Sequence, residues 1–109
     1  MVSYPYSDTV GITTVRIVDF APGRSSAVIY NNGSVTIYLG TNWELTVDSG
    51  IPLPAGMAVV FAREFGDDPD IARFAISGTA GQNVRIQEEF GLSLTGAIEQ
   101  LIVKMGGGA

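Results

Sequence analysis

The chain contains no cysteine and no histidine, so a thiolate nucleophile, an imidazole base and the commonest transition-metal ligands are all missing. What remains for chemistry is carboxylates, hydroxyls, tyrosines and a single lysine, Lys104. The densest acidic group is Asp67, Asp68 and Asp70. Carboxylates gathered in one loop offer oxygen ligands to a hard cation such as Ca²⁺, but their spacing does not match the helix-flanked calcium loop, which needs a further acidic residue at its end. A solvated turn around Pro69 is the stronger reading, and no metal site is assigned. Glu88 and Glu89 are adjacent, so in a strand they point to opposite faces and cannot form a catalytic pair by themselves. Gly78 and Gly81, on either side of Thr79-Ala80, lack the lysine and the following helix of a phosphate loop. No catalytic residue and no cofactor is assigned, and the chain is expected not to be an enzyme.

Binding is the other kind of chemistry. The net charge is −5, and the six basic residues (Arg16, Arg24, Arg63, Arg73, Arg85 and Lys104) are scattered singly. Nucleic-acid binding draws most of its affinity from clustered cations, so it is disfavoured. No apolar run is long enough for a membrane span, and residues 1–8 carry neither a basic nor an apolar signal region, so a soluble protein is expected. Aromatic side chains are the remaining candidates. Tyr4 and Tyr6 flank Pro5 near the N-terminus, and Trp43 follows Gly40-Thr41-Asn42. Aromatics serve both cores and interface centres. Tyr4, Pro5, Tyr6 and Trp43 are therefore the candidate partner-binding residues, with core packing the competing role, most of all for Trp43.

These residues must be positioned by short strands. Of the 109 residues, 46% are apolar and 16% charged, with 14 glycines and 5 prolines marking frequent turns. Residues 1–11 read as an N-terminal arm, extended because Pro5 biases Tyr4 away from helix. Strands are expected over 12–20, 27–30, 34–39, 43–48, 57–65, 73–77 and 83–89. Asn31-Asn32-Gly33 predicts a hairpin between the second and third of these, and residues 78–81 join the last two as a pair. Val35, Ile37 and Leu39 share one face of their strand, as do Trp43, Leu45 and Val47 of the next. Residues 49–56 read as a bend or crossing loop, and residues 66–70 as an acidic turn. From Ser93 to Met105 the apolar spacing becomes helical, and residues 106–109 form a glycine-rich tail. The fold class is mainly β: an antiparallel β-sandwich of about seven strands over residues 12–105, closed by a short C-terminal helix.

The middle of the chain carries a resemblance. Residues 31–40 (NNGSVTIYLG), 49–56 (SGIPLPAG), 74–80 (FAISGTA) and 84–86 (VRI) resemble small tailed-phage virion accessory proteins of the head-decoration and head-fibre type. The resemblance covers residues 24–88 and departs from the pattern at the longer connection over 66–70 and at the C-terminal helix. It implies a β-sandwich without catalytic residues, located in the virion and assembled in the host cytoplasm. It implies a capsid decoration protein that docks on the major capsid protein or other virion proteins and forms a homo-oligomer. A tail, baseplate or vertex subunit and a carbohydrate-binding module are the alternatives.

Overall fold

A computed structural model of the chain describes residues 2–90, with side chains from Pro5 onward. Eight strands account for most of it: β1 (Val2–Val10), β2 (Val15–Val18), β3 (Arg24–Asn31), β4 (Ile37–Gly40), β5 (Ile51–Leu53), β6 (Ala58–Ala62), β7 (Arg73–Ser77) and β8 (Gln82–Phe90). The only helical segment among the described residues is one 3₁₀ turn, Arg63–Phe65. The helix expected over 93–105 and the tail over 106–109 lie outside the described residues.

The strands form two four-stranded antiparallel sheets, ordered β1-β8-β3-β6 and β2-β7-β4-β5. Their inner faces share one apolar core. The first sheet contributes Val10, Ile29, Val84 and Ile86, and the second contributes Ile17, Ile37, Leu39 and Ala75. Ile37 and Leu39 face inward as their alternation predicts, while Thr36 and Tyr38 stay partly exposed. Full burial of a side chain such as Ile37 stabilises the fold by about 1.5–3 kcal/mol.

Several expectations are corrected. The segment expected as an arm is strand β1, paired with β8 from Val2↔Phe90 to Val10↔Gln82. Its extended conformation was read correctly, but its partner lies some eighty residues away in sequence, beyond the reach of local patterns. Second, β3 and β4 do not form a hairpin, because they belong to different sheets; the same holds for β7 and β8. The Asn31-Asn32-Gly33 segment instead crosses between sheets, and two buried amides hold it. Asn31 Nδ2 donates to the carbonyls of Val35 (2.9 Å) and Leu53 (2.8 Å), while its Oδ1 accepts from Gly33 N (3.0 Å). Gln82 Oε1 accepts from Ser34 N (2.8 Å) and Val35 N (3.2 Å). A Cβ on Gly33 would sit 2.4 Å from that Gln82 oxygen, so the glycine is needed for close approach.

Third, residues 43–48 are not a strand. Strand β4 already has β7 and β5 as its neighbours, so no edge of it is free to pair with them. The connection over 41–50 instead folds over the outer face of the second sheet. Leu45 is the plug: it packs with Phe74 and Ile76, against Tyr38 and Ala72. A Cβ on Gly40 or on Gly50 would lie 2.8 Å from Leu45 Cδ1, so both glycines make the slot that Leu45 fills. Residues 51–53, expected within a bend, form the short edge strand β5.

Candidate functional site

The carboxylates that were weighed for chemistry are engaged in structure. Asp67 Oδ2 accepts from Ala62 N (3.1 Å), Asp68 Oδ1 accepts from Asp70 N (3.2 Å), and Asp70 Oδ1 accepts from Arg63 Nη2 (2.7 Å). Pro69, at the centre of this loop, is fully buried. The loop is tied to the sheets by Arg24, a side chain with no exposed surface. Arg24 Nη1 donates to the Pro69 carbonyl (2.6 Å), and Nη2 donates to the Asp19 carbonyl and pairs with Glu88 Oε1 (2.7 Å). Glu88 and Glu89 diverge as expected, with Glu88 on Arg24 and Glu89 Oε2 accepting from Ser26 Oγ (3.4 Å). Among the described residues no three metal-ligating side chains come together.

Of the residues proposed for partner binding, Trp43 stands on the other sheet from Pro5 and Tyr6. Tyr4 lies opposite Glu88 in the register of β1. Tyr6 faces inward: it packs on the core and its hydroxyl donates to the Ile17 carbonyl (2.7 Å), joining one sheet to the other. Burial pushes its pKa above the usual tyrosine value, and the nearby Glu88 carboxylate adds to that shift. This hydroxyl is a cross-sheet tie, so Tyr6 serves the fold itself. Trp43 is 60% exposed, against the expectation that it packs in the core. It stands on the connection over 41–50, edge-on to Phe74 with ring centroids 4.7 Å apart.

Pro5 and its neighbour Tyr6 both border a concave surface, a trough of about 490 Å³ on the outer face of the first sheet that Ser7, Tyr30, Arg85 and Gln87 also line. The register explains the grouping. Pro5 and Val28 both lie opposite Gln87, and Ser7 and Tyr30 both lie opposite Arg85. Alternation along each strand turns these positions outward while Tyr6, Ile29 and Ile86 turn in. The trough thus holds one exposed guanidinium between amide, hydroxyl and tyrosyl groups. Sequence reasoning missed Arg85 and Gln87, because the site is assembled from three strands that are distant in the chain. The available signal was the alternation of Val84, Arg85, Ile86 and Gln87, which sets Arg85 and Gln87 on the polar side.

The two sheets therefore present different outer faces. One is covered by the 41–50 connection, whereas among the described residues no segment of the chain covers the other. No protein-family model matches this chain, and no curated protein matches it either.

Proposed function

We propose that this chain is a structural subunit of a virus particle: a jelly-roll β-sandwich that decorates a capsid shell and docks through the outer face of its β1-β8-β3 strands. The strand order carries the reading. Eight strands in two sheets, ordered β1-β8-β3-β6 and β2-β7-β4-β5, interleave as in a jelly roll, an architecture shared by viral capsid domains and lectins. Fold alone does not assign function. The virion reading also draws on the resemblance of residues 24–88 to phage accessory proteins, and on a chain whose acidic loop is committed to structure. A subunit of tail, baseplate or vertex rests on the same support.

Docking through the trough is tested with the double variant Tyr30→Asp/Arg85→Glu, since both side chains are exposed and neither holds the core. Tagged chain is added to particles of the producing virus and co-sedimentation is measured beside the melting temperature. The expected result is binding to the major capsid protein that the variant loses while melting as before. Failure of the unaltered chain to sediment with particles or with any virion protein sinks the reading.

One observation favours a second reading, a carbohydrate-binding module: the exposure of Trp43. Tyr30 lies on the outer side of the other sheet from Trp43, so these two cannot share one stacking row. Trp43 is the only tryptophan. Its fluorescence during titration with oligosaccharides decides between the readings, a saturable change supporting the sugar-binding one.

A further inference from the structure

Two sheets have four edges, and three of them are blunted against pairing. Strand β1 carries Pro5, which has no N–H, and its Thr9 N–H is taken by Asp8 Oδ1 (2.8 Å). Strand β2 is interrupted by a register shift between Arg16 and Val18, and Arg16 pairs with Asp19 at 2.8 Å. Strand β5 is three residues long with Pro52 at its centre. Strand β6 has such a device only at its last residue, Ala62, where Asp67 takes the edge groups. Its sequence, AVVFA, contains no proline and no charge, and its pairing with β3 runs without a shift.

The direction of its backbone groups follows from two observations. Asn31 N donates to the Met57 carbonyl (2.9 Å), so the odd-numbered residues of this segment bond toward β3. At the far end, Ala62 turns away from β3: its N–H goes to Asp67 Oδ2 (3.1 Å) and its carbonyl accepts from Asp67 N (3.3 Å). By alternation, Ala58 and Val60 also turn outward, and their N–H and C=O groups have no partner among the described residues. Val60 is 44% exposed, and Met57, just before the strand, is 55% exposed.

We propose that β6 is the pairing edge for a second copy of this chain, joined antiparallel about Val59. In that register Ala58 lies opposite the partner's Val60 and Val60 opposite the partner's Ala58. All four outward groups of each strand are then satisfied, in four backbone hydrogen bonds across the twofold axis. Met57 lies opposite the partner's Phe61, so the apolar side of the strand continues across the junction. A second copy is the occupant because the segment is self-complementary. Two chains of net charge −5 also meet here at an uncharged strand, without opposing like charges. The pairing stops at Ala62, whose edge groups Asp67 already occupies. The inference does not depend on the docking face proposed above, and the variants that test it leave Tyr30 and Arg85 intact.

Sedimentation equilibrium of the full chain from roughly 10 μM to 1 mM measures the association, with Val60→Pro as the disrupting variant. Proline removes one outward N–H on an edge strand, where the fold tolerates it. The expected result is a concentration-dependent dimer that Val60→Pro reduces to monomer with its circular dichroism unchanged. The register is read separately, since the chain has no cysteine of its own. Ala58→Cys mixed with Val60→Cys should cross-link faster than either variant alone, because opposed Cα atoms in this register lie about 5.5 Å apart, within disulfide reach. A monomer throughout the concentration range overturns the proposal. So does a dimer that Val60→Pro leaves intact, or equal cross-linking by the mixed and single variants.

Discussion

At the scale of single residues, the fold depends on polar groups that the sequence does not advertise. Arg24 looked like one of six scattered cations, yet it is fully buried and binds the loop over 66–71 to β8 through Glu88. Breaking a buried pair leaves an uncompensated charge, so Arg24→Met should cost about 3–5 kcal/mol in urea unfolding. Adding Glu88→Gln should recover part of that loss, and additive costs would show that the pair is not coupled. Tyr6 gives a second prediction, in pH. An unfolded tyrosine titrates near 10.0, and the folded Tyr6 titrates above that. Between the two values the unfolded chain has released a proton that the folded chain keeps. Its contribution is therefore constant below about pH 10 and is lost as pH rises beyond it. Tyr6→Phe should be weaker by about 1 kcal/mol at neutral pH, having lost the bond to Ile17, and should decline less steeply from pH 10 to 11. Parallel curves for the two proteins would contradict this account.

At the scale of elements, local pattern reported conformation well and partnership poorly. The extended character of residues 2–10, the alternation around Ile37 and the turn at 66–70 were all legible, because each follows from neighbouring residues. Which sheet a strand enters was not. Asn31-Asn32-Gly33 has the composition of a hairpin turn, but the amides of Asn31 and Gln82 convert it into a crossing, and Gln82 is some fifty residues away. Trp43, Leu45 and Val47 alternate like a strand, yet only Leu45 has a slot, made by Gly40 and Gly50 on either side of it. The trough was legible only along β1, at Pro5 and Tyr6, for the same reason, since its other walls come from β3 and β8. The pairing of residues 2–10 as a strand also bears on stability. Deleting residues 1–10 removes the burial of Val10 and the Tyr6 tie, together about 3 kcal/mol. For a domain of this size the melting temperature should fall by roughly 10–25 °C. A calorimetric midpoint that stays in place would show that β1 is dispensable to the fold.

At the scale of the molecule, interleaving makes the last described strand the one on which the rest depends. Strand β8 lies between β1 and β3, so the first sheet has no centre until residues 82–90 are present. Among the described pairings only β4 with β5 joins strands that follow one another in the chain; β1 with β8, β2 with β7 and β3 with β8 all span long separations. Loop closure must come before such contacts stabilise anything, which places the chain among slow two-state folders, with relaxation in milliseconds to seconds. Trp43 offers the probe, because its edge contact with Phe74 forms only when the 41–50 connection has settled on β7. Stopped-flow refolding followed by its fluorescence should show one slow phase, and the same phase should appear in far-ultraviolet circular dichroism, which reports the sheets. A chain ending at residue 81 should show neither, remaining unfolded in buffer because β1 and β3 have lost the strand between them. If that shortened chain folds, or if the tryptophan signal settles in microseconds, the second sheet and its covering loop form independently of the first, and the two sheets are separate cooperative units.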